Sequence, residues 1–183
     1  MSPEQPVPVA DGPPQPLREI ARLVYQPGQA LIDRLRGTTG DLIVLGAAGK
    51  MGVSLARMAA LALQALPGGR RVHAVSRFSD AAARAELDGA GVHTVPADLL
   101  DPASLAGLPD APNVVYMVGR KFGTGTDAAL TWMVNTHLPA LIAQRYRGAR
   151  MVAFSSGNVY PLRPVVSGGA DEDTPTDPVG EYA

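Results

Sequence analysis

The stretch that most constrains the fold is a glycine-rich turn between an apolar run and a helical pattern, in "DLIVLGAAGKMGVSLARMAALALQAL". Its glycines have the spacing G-x-x-G-x-x-G at Gly46, Gly49 and Gly52. The run "LIVL" has the length of a buried strand, and the segment after Gly52 has the apolar periodicity of a helix. Glycine suits the turn between them because it accepts backbone conformations that other residues avoid. The sequence therefore predicts a strand, a tight turn and a helix in direct succession.

The rest of the chain repeats this alternation. Further strands are predicted in "RRVHAVSR", "VHTVPAD", "NVVYMVG" and "RMVAFSSGNVY". Helices are predicted between them in "DAAARAELDGAG", "DPASLAGL" and "DAALTWMVNTHLPALIAQRYRG". Strands that alternate with helices are typical of parallel crossover connections. We therefore expect an α/β fold with a doubly wound parallel sheet of about five strands.

The length of 183 residues suits a single domain with accessory segments. Residues 1–15 are rich in proline, which disfavours helices and strand pairing, and they are predicted to form a disordered tail. Residues 16–40 contain "PLREIARLVYQ" and "GQALIDRLRG", which predict two amino-terminal helices. Residues 41–183 are predicted to form the sheet domain.

Composition excludes several functional classes. The 16 basic and 17 acidic residues nearly cancel, so no basic surface for nucleic acid is expected. The chain has no cysteine, and His73, His93 and His137 lack metal-ligand spacing, so no metal site is predicted. The amino terminus lacks the pattern of a signal peptide, and no apolar run reaches the length of a membrane span. A cytoplasmic protein is expected.

The context of the glycine turn predicts a dinucleotide site. A pyrophosphate needs close approach of the backbone, and the amino end of a helix offers free N–H groups and a positive dipole end. Turn and packing requirements are the alternative explanation of the three glycines, but their place after the first strand favours the dinucleotide. A P-loop is excluded because Lys50 is followed by Met51 rather than by serine or threonine. The predicted fold is thus of the Rossmann type, with NAD or NADP as cofactor.

The end of the second strand bears on the choice between these cofactors. A carboxylate at this position binds the ribose hydroxyls and repels a 2′-phosphate. Here the strand ends with Ser76 and Arg77, a hydroxyl and a guanidinium that favour a phosphate. NADP is therefore preferred over NAD, the alternative being that Arg77 is a solvated surface charge.

Several motifs in the same order resemble the extended short-chain dehydrogenase/reductases, specifically the NAD-dependent epimerase/dehydratase family. They are "GAAGKMG", "ADLLD", "VVYMVG", "VNTHLPALI", "FSSGNVYP" and "DEDTPTDPVGEYA", and they span residues 41–183. The resemblance implies an NAD(P)-dependent oxidoreductase, epimerase or dehydratase that acts on a sugar or sugar nucleotide. It also implies a small-molecule substrate rather than a nucleic acid or a membrane.

The resemblance further implies roles for individual residues. Asp98, with Leu99 beside it, is similar to the aspartate that reaches the adenine ring, whereas Asp101 better suits a helix cap. Gly119 falls in the motif beside the cofactor ribose. Asn135 matches an asparagine that is often structural in relatives. The predicted cofactor-binding residues are Gly46, Gly49, Lys50, Met51, Gly52, Ser76, Arg77, Asp98, Leu99, Gly119 and Asn135.

The catalytic residues implied by the resemblance are Ser156 and Tyr182, which lie 26 positions apart. The serine would hydrogen-bond the reacting hydroxyl or carbonyl, and the tyrosine would transfer a proton. A tyrosine hydroxyl does this near neutral pH only if nearby positive charge stabilises its anion. In the family, this charge comes from a lysine four residues after the tyrosine and from the oxidised nicotinamide.

That lysine would be residue 186, and the chain has 183 residues. We therefore expect an amino-terminal fragment that retains a cofactor-binding half, lacks the substrate lobe and is by itself inactive. An uncovered edge at the fifth strand would favour association, so a homodimer is considered.

Two alternatives stay open. Arg120 and Lys121, at the end of the fourth strand, either bind an anionic substrate or are solvated. The protein is either an enzyme or a non-catalytic NAD(P)-binding regulator or scaffold of the same fold. A lysine at position 186 of a longer protein would favour catalysis.

Overall fold

The protein is described by a computed structural model for residues 15–183. The predicted disordered tail of residues 1–15 lies outside the described residues, apart from Gln15. Two helices come first, α1 (Gln15–Tyr25) and α2 (Gln29–Arg36). The strands are β1 (Leu42–Leu45), β2 (Val72–Ser76), β3 (His93–Pro96), β4 (Asn113–Tyr116) and β5 (Arg150–Ala153). The helices between them are α3 (Gly52–Gln64), α4 (Ala81–Gly89), α5 (Pro102–Ala106), α6 (Ala128–Trp132) and α7 (Leu138–Arg145).

The five strands form one parallel sheet in the order β3-β2-β1-β4-β5. Leu45 of β1 is in register with Val75 of β2 and Tyr116 of β4. Because parallel strands in register end at the same edge, the loops after β1, β2 and β4 emerge side by side. The predicted doubly wound α/β sheet is confirmed.

Two apolar layers cover the faces of the sheet, since side chains of β1 alternate between them. Leu42 and Val44 belong to the layer that includes α3 and Leu87 of α4. Ile43 and Leu45 belong to the other, which includes Leu138 and Ile142 of α7. All four residues of β1 are buried, as expected of a central strand covered on both faces.

Aspartates set the starts of three helices. Asp80, Asp101 and Asp127 each accept a hydrogen bond from a backbone N–H in the first turn of α4, α5 and α6, respectively. The cap predicted at Asp101 is thus present, and its carboxylate also accepts the Ser104 hydroxyl at 2.7 Å. That hydrogen bond lowers the pKa of Asp101.

The helix predicted over "DAALTWMVNTHLPALIAQRYRG" is not uniform. A π-helical turn, Met133–His137, separates α6 from α7. Pro139 lies in the first turn of α7 and has no N–H to donate to the carbonyl of Asn135 four residues earlier. The wider π-helical turn accommodates the missing hydrogen bond. The prediction of one uniform helix is therefore wrong at this point, because Pro139 interrupts the α-helical hydrogen bonding.

A polar cluster around the buried His73 lies at the end of the sheet opposite the loops that follow β1, β2 and β4. The His73 ring is 3.0 Å from the Asp41 carboxylate through Nε2 and 3.1 Å from Nδ1 of His93 through Nδ1. Burial raises the pKa of Asp41, but hydrogen bonds from the Arg71 backbone and from His73 outweigh it, so the net shift is downward. Within residues 15–183, no group of three histidines or acids is arranged to hold a metal ion.

The β5 strand pairs with β4 and forms one edge of the sheet. Val152 is 61% exposed and Phe154 is 45% exposed. The apolar edge that the sequence predicts is therefore present, whereas association through it stays a prediction. None of the helices over residues 15–183 combines the length and the apolar character that crossing a membrane requires.

Candidate nucleotide-binding cleft

A cleft of about 490 Å³ opens where the loops after β1, β2, β3 and β4 meet. Strand order reverses at this point, since β2 and β4 flank β1 on opposite sides. Open parallel sheets bind their ligands at such a switch point. The cleft is lined by Gly46, Ala48, Gly49, Ser76, Arg77, Ser79, Ala97, Asp98, Leu99, Leu100, Met117, Val118, Gly119, Arg120, Leu130, Val134 and Leu138.

The first glycine of the turn is required by the backbone around it. Gly46 has φ +87°, a conformation that L side chains rarely adopt. Its N–H donates to the carbonyl of Val75 at 2.9 Å, which fixes the turn against β2. A Cβ at this position would lie 3.0 Å from the backbone of Met117 and Val118. Gly46 therefore allows the turn after β1 to lie against the end of β4.

The third glycine brings α3 close to the turn. A Cβ on Gly52 would lie 2.5 Å from the carbonyl oxygen of Ala47, a distance that no real contact tolerates. Gly52 is buried and does not line the cleft. Glycine is therefore required at position 52 for packing. Turn and packing requirements were the alternative to a dinucleotide site in explaining the three glycines.

Gly49, the second glycine of the turn, is less crowded than Gly46 and Gly52. A Cβ on Gly49 would meet only the Gly46 carbonyl within 4 Å, at 3.3 Å. Gly49 is exposed and lines the cleft, so the space that a side chain would occupy is open to a ligand. The neighbouring Lys50 and Met51 are exposed but are not among the lining residues.

The start of α3 lacks the cap that three later helices have. Met51 occupies its N-cap position, and no side chain there accepts a backbone N–H. The first N–H groups of a helix need an acceptor, and an anion is a suitable one. The N–H groups of Gly49 and Gly52 donate to the carbonyls of Gly46 and Gly49, whereas the start of α3 has no side-chain acceptor. The positive end of this helix dipole lies beside the open space at Gly49.

The loop after β2 places a cation at the cleft. Ser76 ends β2, in register with Pro96 of β3, and Arg77 is exposed beside it. No carboxylate in residues 15–183 lies within ion-pair distance of Arg77. The next residue, Phe78, has φ +49°, which is unusual for a bulky side chain, and it packs on the core. This anchored bend fixes the backbone directly after Arg77.

The loop after β3 contributes one carboxylate. Asp98 accepts the N–H of Leu100 at 3.0 Å through one oxygen and lines the cleft. Leu99 is buried in the second apolar layer and also lines it. The acid is therefore held in place locally, with capacity for a further donor.

The loop after β4 is fixed by an asparagine. The amide oxygen of Asn135 accepts the N–H of Arg120 at 2.8 Å, and its amide nitrogen donates to the Arg120 carbonyl at 3.1 Å. Asn135 is not among the residues that line the cleft, whereas Gly119 is. The structural role considered for this asparagine is thus visible, and it acts on the backbone of Arg120.

The two predicted catalytic residues lie outside the cleft lining. The Ser156 hydroxyl accepts the N–H of Asn158 at 3.1 Å and caps a 3-10 turn, Gly157–Val159. Tyr182 is partly exposed, and its neighbour Glu181 accepts a hydrogen bond from the Trp132 indole. Their catalytic roles stay predictions.

Sequence reasoning missed several lining residues. They are Ala48, Ser79, Ala97, Leu100, Met117, Val118, Leu130, Val134 and Leu138. Six of them lie in the loops after β1, β2, β3 and β4, and the rule that ligands lie beyond the carboxyl ends of parallel strands would have found these. The three from the helix after β4, Leu130, Val134 and Leu138, carry no polar signal and become apparent only from packing.

Comparison with known proteins supports the assignment of the fold. No family model and no curated protein matches the chain. A short-chain dehydrogenase/reductase superfamily protein from Agrobacterium tumefaciens with bound NAD is 26% identical, with a TM-score of 0.59 over 78% of this chain and 40% of that one. A dTDP-glucose 4,6-dehydratase from Streptomyces venezuelae with NAD bound is 21% identical, with a TM-score of 0.66 over 78% and 47%.

A third structure, RMD from Pseudomonas aeruginosa complexed with NADPH, is 21% identical, with a TM-score of 0.53 over 79% of this chain and 44% of that one. The chain thus spans less than half the length of these three proteins. The resemblance to the extended short-chain dehydrogenase/reductases is confirmed at the level of the fold.

Proposed function

We propose that the chain binds a nicotinamide nucleotide and belongs to an NAD(P)-dependent oxidoreductase, epimerase or dehydratase for a sugar or sugar nucleotide. The observation that carries the proposal is the cleft at the switch point of the sheet, with open space at Gly49 beside an uncapped helix. Similar structures were solved with NAD or NADPH. The activity and substrate of the whole protein are part of this proposal.

The residues present suit a dinucleotide. The turn from Gly46 to Gly52 and the start of α3 would hold the pyrophosphate, because the start of α3 has no side-chain acceptor and the space at Gly49 is open. Asp98 would accept a hydrogen bond from the adenine, and Leu99 would pack against it. Gly119 would leave room for the ribose at the end of β4. Each of these four elements lines the same cleft.

NADP is the preferred form in this proposal. The guanidinium of Arg77 is exposed at the cleft without a carboxylate partner within the described chain, and the Ser76 hydroxyl is adjacent. Guanidinium groups bind phosphate through paired N–H donors. At the end of β2, where a carboxylate would repel a 2′-phosphate, this chain has Ser76 and Arg77.

The catalytic part of the proposal concerns Ser156 and Tyr182. When bound, the nicotinamide supplies or accepts a hydride. Ser156 would orient the substrate oxygen through its hydroxyl, and Tyr182 would donate or accept the proton at that oxygen. The Ser156 hydroxyl, which now accepts the Asn158 N–H, still has its proton to donate.

A second candidate is a non-catalytic NAD(P)-binding regulator or scaffold. It is favoured by one observation, that Ser156 and Tyr182 do not line the cleft. In that case the cleft would bind the cofactor, and the segment after β5 would serve another purpose.

Cofactor binding is tested by fluorescence titration of the 183-residue chain with NADPH and NADH. Both should bind, and NADPH should bind more tightly. Gly49→Val should abolish binding, because its side chain fills the open space at the turn, while Gly148→Val serves as the control since a Cβ there meets nothing within 4 Å. Absence of binding to the unmodified chain would refute the proposal.

The two candidates are separated with the longest protein that the gene encodes. For an enzyme, Tyr182→Phe should reduce turnover by about 10²-fold or more while cofactor affinity is unchanged. A protein that binds cofactor but shows no Tyr182-dependent turnover would support the regulator or scaffold.

A further inference from the structure

Arg120 lies at the cleft on the side opposite Arg77. Arg77 follows β2 and Arg120 follows β4, and these strands flank β1 on opposite sides. Around Arg120 the lining comes from Gly119 and from apolar residues of the helix after β4, Leu130 and Val134. The part of the cleft proposed for adenine is thus beside Arg77, and Arg120 faces the other part.

The backbone of Arg120 is held from both sides by one side chain. Asn135 binds its N–H and its carbonyl, at 2.8 Å and 3.1 Å. Asn135 belongs to the π-helical turn, Met133–His137, that precedes Pro139. The position of Arg120 therefore depends on a local irregularity of the helix, and such turns are frequent at functional sites.

The loop after Arg120 is shaped around its guanidinium. Nη2 donates to the carbonyl of Gly123 at 3.1 Å, and the Thr126 hydroxyl donates to the same carbonyl at 3.0 Å. Gly123 has φ +69°, and a Cβ there would lie 3.1 Å from Nη2. Glycine at 123 thus gives the guanidinium the space it occupies.

The charge of Arg120 is not neutralised by the described protein. No carboxylate of residues 15–183 pairs with it, and its Nε is buried without a hydrogen-bond partner. Arg57 and Arg145 also have a buried Nε without a partner, but each of them pairs with an acid through Nη1, whereas Arg120 does not. A guanidinium that lines a cleft and has no acid partner is suited to an anion that comes from outside.

We infer that Arg120 binds an acidic group, a carboxylate or a phosphate, on the substrate, and that Asn135 is the positioning residue for it. This inference rests on the proposed function, because it assumes that the other part of the cleft holds the cofactor. It narrows the substrate to a sugar derivative that carries an acidic group near the end of β4.

The inference is tested by calorimetric titration of the longest protein that the gene encodes, saturated with NADP⁺, using three probes: D-glucuronate, D-glucose 6-phosphate and D-glucose. At least one of the two acidic probes should bind measurably, and glucose should not. Arg120→Met should weaken binding of that probe at least tenfold and change the NADP⁺ affinity less than twofold. Arg147→Met is the matched control, since Arg147 is exposed and outside the cleft lining.

The outcomes separate this inference from the proposed function. If the unmodified chain does not bind NADP⁺ or NAD⁺, the proposed function fails. If the cofactor binds but neither acidic probe does, or if Arg120→Met leaves their binding unchanged, the inference fails and the proposed function stands. If Arg120→Met weakens the cofactor and not the probe, Arg120 belongs to the cofactor site and the inference is again wrong. Binding of only one acidic probe identifies the acidic group as carboxylate or phosphate.

Two further variants guard against misfolding and test positioning. Arg120→Lys keeps the charge but lacks the planar fork, so it should retain part of the probe binding that Arg120→Met loses. Asn135→Leu removes both contacts to the Arg120 backbone and should weaken the probe more than NADP⁺. If Asn135→Leu lowers probe and cofactor affinity by the same factor, Asn135 is merely structural and its assigned role is wrong.

Discussion

The loops that follow β1 to β4 and the segment that follows β5 differ in what holds them. The N–H of Gly46 donates to the Val75 carbonyl of β2, and the N–H of Arg120 donates to the side chain of Asn135. In the segment of residues 154–183, most side-chain hydrogen bonds are local, as from Ser167 to Pro164 and between Asp171 and Thr174. Val165 and Val166 are almost fully exposed there. The proposed cofactor site thus lies in the packed part, and the predicted catalytic residues lie in the part with few long-range contacts.

The largest effect is expected at Gly52, in the packed part of the molecule. Gly52→Ala should lower the free energy of unfolding by about 3 kcal/mol, because the new Cβ would lie 2.5 Å from the Ala47 backbone and the helix must shift. Urea denaturation measures the effect. Gly89→Ala is the control: it ends α4 with nothing within 4 Å of a Cβ and should change stability by at most about 1 kcal/mol, in the stabilising direction. Equal effects at both sites would contradict the packing argument.

The next prediction concerns alkaline pH. Burial raises the pKa of Tyr116 and of Tyr146 to about 12. The folded state keeps both hydroxyls neutral, whereas the unfolded state ionises them near pH 10. The part of the free energy of unfolding that depends on these neutral hydroxyls is therefore fully present below pH 10 and is lost as the pH rises towards 12. The loss should be roughly 1 kcal/mol per pH unit for each tyrosine.

Denaturation at a series of alkaline pH values measures this loss. Tyr116→Phe should make the free energy of unfolding fall less steeply with pH, because one ionising group is removed. An unchanged slope would show that Tyr116 ionises equally in the folded and unfolded states.

A smaller effect is expected at the cofactor end of the cleft. Arg77→Asp should weaken NADPH by about 10-fold to 100-fold, the loss of a charge-assisted hydrogen bond, and should leave NADH unchanged or bound more tightly. Fluorescence titration with both nucleotides measures the ratio, with Arg147→Asp as control. An unchanged NADPH/NADH ratio would show that Arg77 is a solvated charge.

The smallest effect is predicted in the segment after β5. Val165→Ser should change the free energy of unfolding by less than about 0.5 kcal/mol, because Val165 is 99% exposed and loses no packing. A similar substitution at buried Val75, Val75→Ser, gives the contrast. Strong destabilisation by Val165→Ser would show that the segment is packed in solution and would remove the distinction between the two regions.

The sequence by itself determined the parallel α/β sheet, because each strand, glycine turn and helix has its own local pattern. The Asp101 cap, the turn at Gly46 and the exposed edge at β5 could all be predicted in this way. The cap and the turn depend on the residue and its immediate neighbours, and the edge was expected because no further strand pattern follows β5 in the given sequence. The glycine turn also indicated a dinucleotide site after the first strand, whereas the strand order that forms the cleft there came from the structure.

Only the tertiary structure decided how the three glycines divide their roles and what Asn135 contacts. Gly52 is required by Ala47 and Gly49 is open, although the sequence presents the same residue at both positions. Asn135 contacts Arg120 across 15 positions of chain, through a π-helical turn that a uniform helical pattern conceals. Such contacts depend on distances between segments far apart in sequence, and residue spacing alone does not contain them.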